Sequence, residues 1–256
     1  LKATDSVNGD EFGWSVAING NYAIVGCRSR SVNGNLFTGS AYIFERSNGN
    51  WGTAVPGETY RTETQKIAPS ELASGDQFGF SVAISGNNAL VSSIANDDSG
   101  TRTGSAYIFE RDGDGNWTEK QKLLASDKAG GDNFGYFVSI DGNNAIIGSY
   151  GDNEAGSFTG AAYLFQFSND TWSETKKFLA SDKAERDFFG SSVAINGSYA
   201  FVGSPDEDNS GKTNSGAAYI FEVSGGGSVS TEEQSLTDLN IESTDIDTLK
   251  AVSFSS

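Results

Sequence analysis

An all-β fold built from four repeated units follows from three features of the 256-residue sequence. The pair Phe-Gly recurs at Phe12-Gly13, Phe78-Gly79, Phe134-Gly135 and Phe189-Gly190, at steps of 66, 56 and 55 residues. Each pair is followed by an apolar run of one pattern: SAYIF at Ser40–Phe44 and Ser105–Phe109, AAYLF at Ala161–Phe165, and AAYIF at Ala217–Phe221. Composition agrees, with 32 Gly and 3 Pro beside 17 Phe, 9 Tyr and 4 Trp, a mixture suited to short strands joined by tight turns. Self-similarity at a fixed period marks a repeat architecture. Two lesser anchors keep the same order: Trp51, Trp117 and Trp172, with Val229 in the equivalent place, and the runs LKATD, LLASD and FLASD beginning at Leu1, Leu123 and Phe178.

Each unit reads as four strands, clearest in Leu72–Asp127. Phe78–Ile84 alternates as a strand, Ser85-Gly86-Asn87 turns, and Ala89–Ser93 returns. A loop over Ile94–Thr103 leads to Ser105–Arg111, and Trp117–Ala125 completes the set. The dipeptides Asn19-Gly20, Ser85-Gly86, Asp141-Gly142 and Asn196-Gly197 supply the positive φ that tight hairpins need. Four up-and-down strands per unit, repeated radially, form the blade of a β-propeller. The expected architecture is therefore an all-β propeller of about four four-stranded blades over residues 1–236, with a short C-terminal extension over 237–256.

Charge and composition narrow the function. The 34 acidic against 17 basic residues give a net charge of −17, which repels nucleic acid and anionic membranes. No apolar run is long enough to span a bilayer. The single cysteine, Cys27, stands where the other units carry Ser93, Ser149 and Ser204, and reads as a small packed thiol. Histidine is absent, so Ser-His-Asp and Cys-His catalysis is excluded, and no carboxylate pair stands out as a glycosidase pair. Methionine is absent even at the start, and Leu1 enters in mid-repeat, which implies a processed or truncated chain.

The four Phe-Gly pairs, the Gly/Ser-Ala-Tyr strands and Val202-Gly203-Ser204-Pro205 resemble FG-GAP repeats, the blades of integrin α-subunit propellers and of many secreted microbial proteins. The resemblance covers Leu1 to about Leu236. It implies an extracellular or cell-surface, non-enzymatic module for recognition or adhesion, with a glycan or an extracellular protein as partner. Repeats of this type often carry a calcium loop, Asp-x-Asp-x-Asp-Gly, between strands one and two. This chain has only short Asn-Gly or Asp-Gly turns there, so calcium is not carried over to those positions.

Recurrence within the chain separates scaffold from site. Asp10, Asp76, Asp132 and Asp187 each precede a Phe-Gly pair by two residues and are expected to cap turns. The loops between strands two and three vary most: Arg28–Thr38, Ile94–Thr103, Tyr150–Thr159 and Pro205–Ser215. They are expected to share one face of the propeller. Phe37, Asp97, Asp98, Tyr150, Asp152 and Phe158 are the candidate ligand-binding residues there, since flat aromatic rings beside carboxylates suit a sugar. Asp206, Glu207 and Asp208 are the candidate metal ligands, as carboxylates with loop carbonyls suit calcium.

The ends raise a second class of function. An insertion of about ten residues between Trp51 and Gln65 reads as a loop excursion at a blade rim. Val229–Leu236 aligns with a fourth strand, Leu249–Phe254 reads as one further strand, and Leu1–Asp5 looks like the end of a fourth strand whose beginning is absent. An unpaired edge is a template for association. The alternative role is a structural subunit of an extracellular fibre or surface layer, joined through open blade edges and the C-terminal strand.

Overall fold

The computed structural model describes residues 1–223 apart from 33, 98–99, 155 and 209–212. Among these residues there is no helix; the chain forms antiparallel sheets, one per repeat. The first sheet contains β1 (Ser15–Asn19), β2 (Tyr22–Cys27), β3 (Ser40–Ser47) and β4 (Asn50–Trp51). Beyond β4 come the short strands β5 (Thr53–Ala54) and β6 (Arg61–Thr62), then β7 (Gln65–Ile67). The second sheet holds β8 (Phe78–Ser85), β9 (Asn88–Ser93), β10 (Ser105–Arg111) and β11 (Trp117–Leu123). The third holds β12 (Val138–Asp141), β13 (Asn144–Ser149), β14 (Ala161–Ser168) and β15 (Thr171–Phe178). The fourth shows β16 (Ser192–Asn196), β17 (Tyr199–Ser204) and β18 (Ala217–Glu222). Within each sheet the strands pair in chain order, as a meander.

The insertion in the first unit splits its fourth strand. Both β4 and β7 pair with β3, while β5 and β6 form a separate ribbon between them. This ribbon is ordered by contacts rather than being a plain loop. The Lys2 amide donates to the Arg61 carbonyl at 2.9 Å, the Thr4 hydroxyl donates to Glu63 at 2.6 Å, and the Lys2 ammonium sits 4.3 Å from the Tyr60 ring centre. Leu1–Asp5 is not a strand; Lys2 makes one isolated parallel bridge to Thr62. The segments Val229–Leu236 and Leu249–Phe254 lie outside the described residues.

The sheets stack face to face in chain order, and their first strands β1, β8, β12 and β16 lie next to one another. Strand alternation decides which side chains meet. From β8, Val82 and Ile84 point back onto Ile24 and Ile43 of the first sheet. From β12, Val138 and Ile140 point back onto Leu90 and Ile108 of the second. From β16, Val193 and Ile195 point back onto Ile146 and Leu164 of the third. The opposite face of each first strand points forward and is polar. Ser15 Oγ donates to the Gly79 carbonyl at 2.9 Å, and Ser81 and Ser139 accept the Val138 and Ile195 amides, each at 3.2 Å. Each interface thus has an apolar centre and a hydrogen-bonded seam at the first strand.

The Phe-Gly pair serves this stacking. Phe78, Phe134 and Phe189 are fully buried and form parallel bridges with Gly39, Gly104 and Gly160 of the preceding unit. Gly79 has φ +86°, and a β-carbon there would stand 2.4 Å from the Ser40 carbonyl oxygen. Glycine is required twice over, by conformation and by close approach.

Candidate ligand-binding face

The residue after each Phe-Gly pair is Trp14, Phe80, Tyr136 or Ser191, and the first three are aromatic. The stacking of first strands brings them into a row. Trp14 and Phe80 have ring centres 5.7 Å apart, and Phe80 and Tyr136 are 5.4 Å apart. Tyr136 then meets Tyr150 at 4.5 Å, Tyr150 meets Phe188 at 6.0 Å, and Phe188 meets Phe158 at 5.7 Å. Six aromatic side chains from four units therefore form one continuous track. The Arg28 guanidinium lies over Trp14, 3.3 Å from the ring centre, and donates to Glu11 at 2.7 Å. Trp14, Phe158 and the neighbouring Phe137 are exposed, and the other members are partly buried.

Backbone geometry explains the end of the track. The residue before Phe-Gly is left-handed in every unit: Glu11, Gln77, Asn133 and Phe188, with φ 57°, 57°, 52° and 54°. A second left-handed series is Phe37, Arg102, Phe158 and Asn214, with φ 55°, 57°, 56° and 51°. The two series meet across neighbouring sheets. The Gln77 amide donates to the Phe37 carbonyl at 3.0 Å, Asn133 to Arg102 at 3.1 Å, and Phe188 to Phe158 at 3.1 Å. The conformation belongs to the repeat, but only the third-to-fourth junction places Phe on both sides. A bulky residue at positive φ carries strain that asparagine tolerates better.

That junction is also a cleft of about 570 Å³, lined by Phe158, Ala184, Glu185, Arg186, Asp187, Phe188, Asp206, Asp208 and Asn214. Aromatic surface beside carboxylates and an amide gives a flat apolar floor with hydrogen-bond acceptors and donors at its edge.

The structure separates the nine residues expected from the sequence. Tyr150 and Phe158 belong to the track, and Asp206 and Asp208 line the cleft. Phe37 is exposed on the first unit and makes no ring contact among the described residues. Asp98 lies outside the described residues. Asp97, Asp152 and Glu207 are each held by contacts within the chain. Asp97 Oδ1 accepts the Arg102 amide at 2.6 Å, and Asp208 Oδ1 likewise accepts the Asn214 amide at 2.7 Å. Both close their own loops, although Asp208 still reaches the cleft. Asp152 is buried, and its Oδ2 accepts from Tyr163 at 2.9 Å and Lys177 at 3.0 Å. Glu207 is buried against Asp187 and Tyr219, and desolvation together with the nearby Asp187 and Asp182 pushes its carboxyl up to about 7. Position 152 corresponds to Arg30, Asn96 and Glu207 in the other units, a polar position that is buried in the last three units and partly buried at Arg30.

The expected metal set Asp206, Glu207 and Asp208 does not converge. Among the described residues, no three carboxylates or thiols are grouped to hold a metal ion. Glu207 is buried, whereas Asp206 and Asp208 are more exposed and line the cleft.

Asp10, Asp76, Asp132 and Asp187 each accept the amide three residues earlier, from Val7, Ala73, Ala129 and Ala184. Their carbonyls accept from Cys27, Ser93, Ser149 and Ser204. Burial pushes the Cys27 thiol up to about 12, so it acts as a packed hydrogen-bond donor.

The family model of the FG-GAP repeat matches residues 1–44, 62–109, 117–165 and 172–221, most of the sequence. The chain belongs to the FG-GAP repeat family. No curated protein matches it. Among solved structures, the crystal structure of Sqt1 from Chaetomium thermophilum is similar, with a TM-score of 0.50 at 10% identity. The likeness covers 84% of this chain and 45% of that one, so the chain spans less than half of that protein's length. At this identity it concerns the path of the backbone alone.

In this FG-GAP chain the Phe-Gly pair is core, and the candidate site begins one residue later. Sequence reasoning missed Trp14, Phe80, Tyr136 and Phe188. Their signal was present: an aromatic residue follows Phe-Gly in three of four units, and Phe188 doubles the Phe of the fourth.

Proposed function

We propose that this chain is a propeller-like, non-enzymatic recognition module that binds a glycan along the track from Trp14 to Phe158 and in the cleft at its end. The observation that carries this reading is the continuous series of rings from four sheets, ending beside Asp206, Asp208 and Asn214. A pyranose ring has apolar faces that stack on aromatic rings and hydroxyls that donate to carboxylates. The length of the track suits several linked sugars rather than one, because successive rings are spaced over three interfaces.

The four sheets stack in chain order through their first strands, which supports reading them as blades. The resemblance to secreted FG-GAP proteins supports reading the module as extracellular or cell-surface. Calcium is not required by this reading, since the contacts are stacking and direct hydrogen bonds.

Glycan-array screening followed by calorimetry tests it. Binding of an oligosaccharide is expected to weaken at least tenfold in Tyr136→Ala and in Phe188→Asn, and to survive a chelator. Binding unaffected by both substitutions would overturn the assignment of the track. Loss of binding in chelator alone would move the site to a cation-held loop.

A further inference from the structure

The third unit breaks a pattern that the other three keep. Ser15, Ser81 and Ser192 each stand two residues after the glycine of their Phe-Gly pair, and Phe137 takes that place in the third unit. Two residues further on, Ser139 stands where the others have Ala17, Ala83 and Ala194. The hydroxyls at the first position belong to the seam between sheets. Ser15 Oγ donates to the Gly79 carbonyl at 2.9 Å, and Ser81 Oγ accepts the Val138 amide at 3.2 Å. Phe137 has no hydroxyl, and the third unit makes its seam bond from Ser139, whose Oγ accepts the Ile195 amide at 3.2 Å. Val138 and Ile195 are also two places apart in the repeat, so the bond has moved by one strand period on both sheets and stays on the same face. Together the two exchanges keep the seam and release position 137 from it.

The released position carries an exposed ring. Phe137 is 45% exposed although its unit has a described sheet on each side. Its ring centre lies 5.5 Å from that of Tyr136, its one ring contact among the described residues. Tyr136 therefore meets three rings: Phe80 at 5.4 Å, Phe137 at 5.5 Å and Tyr150 at 4.5 Å. The backbone that presents Phe137 is fixed on both sides. The Phe137 carbonyl accepts the Gly148 amide at 2.9 Å, and the next amide is the one bonded to Ser81. Single exposed apolar residues are common on protein surfaces. This one adjoins a continuous aromatic surface, at a position where the scaffold uses serine.

We propose that Phe137 is a ligand-contacting residue that sets specificity, and that the aromatic surface forks at Tyr136 to take a branched glycan. The main chain of the glycan lies along Phe80, Tyr136 and Tyr150, and a side sugar stacks on Phe137. The inference rests on the glycan reading of the track and adds to it a ligand class, a linear main chain that carries sugar branches. Serine at this position, as in the other three units, would leave the track without its side arm.

Calorimetry on the 256-residue chain with matched pairs of oligosaccharides tests the proposal. The pairs are mannopentaose with its galactosylated form, cellotetraose with its xylosylated form, and xylopentaose with its arabinosylated form. In at least one pair the wild type is expected to bind the branched member about tenfold more tightly, the scale of one stacking contact. Phe137→Ser, the residue of the other three units, is expected to bring the ratio of the two affinities to about one. Phe137→Tyr keeps the ring and is expected to keep the preference. A branch preference that Phe137→Ser leaves intact overturns the proposal. Equal binding of branched and unbranched members by the wild type also overturns it, and the track itself survives that result if Tyr136→Ala abolishes the binding. Absence of binding to every member overturns both the fork and the glycan reading beneath it.

Discussion

The Phe188 amide donates to the Phe158 carbonyl at 3.1 Å while their rings stand 5.7 Å apart, and both residues are left-handed. The backbone link repeats at every described junction, but the paired rings occur only here. The equivalent of Phe188 in the third unit is Asn133, at φ 52°. Phe188→Asn should therefore keep the backbone and remove the ring. Thermal melting is expected to show a change within about 1 kcal/mol, because relief of left-handed strain offsets the lost partial burial. Glycan affinity should fall in the same protein, and calorimetry reads the difference.

Gly79 and Gly86 separate two reasons for glycine. Both have positive φ, but a β-carbon at Gly79 meets the Ser40 carbonyl oxygen at 2.4 Å, and one at Gly86 meets nothing within 4 Å. Gly79→Ala is expected to cost about 2–4 kcal/mol in denaturant melts, from strain plus displacement of the neighbouring sheet. Gly86→Asn should cost under about 1 kcal/mol, since asparagine visits this conformation readily. Equal losses would show that close packing at the Phe-Gly pair is not what constrains it.

Lys177 holds three carboxylates at once, Asp127 at 2.6 Å, Asp152 at 3.0 Å and Glu154 at 2.6 Å. These contacts hold the Lys177 ammonium above its ordinary value and Asp127 below its own, even though burial opposes both. Removing Lys177 leaves Asp152 buried without its cation. Lys177→Met should destabilise by about 2 kcal/mol, between the values for exposed and buried pairs, because the ammonium is partly exposed. Adding Asp152→Asn, the residue found as Asn96 in the second unit, should recover part of the loss in a double-mutant cycle.

Glu207 gives the fourth unit a pH dependence. Its carboxyl is raised from 4.5 to about 7 by desolvation first, then by Asp187 and Asp182. The folded state therefore holds a proton that the unfolded state releases. Its contribution to stability is complete below about pH 4.5 and is lost as pH rises through about 7. Glu207→Gln should flatten the fall in melting temperature over that window relative to wild type. A slope unchanged by the substitution would place the titration elsewhere, with Asp132, pushed up to about 6, as the next group to change.

Strand positions were readable because hydrophobic alternation and turn chemistry act locally. Ser105–Arg111 was found with its observed ends, and β8, β9 and β11 differ from expectation by one or two residues at their ends. The scaffold aspartates were also readable, since repetition itself marks them. The site was half legible. Tyr150 and Phe158 are legible as aromatics in the variable loops, whereas Trp14, Phe80 and Tyr136 follow a repeated pair, and recurrence alone does not single them out. The burial of Asp152 and Glu207 was not legible for a physical reason: a carboxylate in a variable loop reads as exposed until its neighbours show that it is buried.

By itself, the sequence determined the four units, their first three strands, their hairpin turns and the turn-capping aspartates, because each depends on contacts within a few tens of residues. Only the tertiary structure decided which faces meet. It aligned the residues after Phe-Gly into one track, turned Glu207 inward, and left Val16 and Ile18 bare while burying the identical strand's Ile195. These outcomes depend on how one sheet lies on the next, and identical residues acquire different roles according to whether a neighbouring sheet covers them.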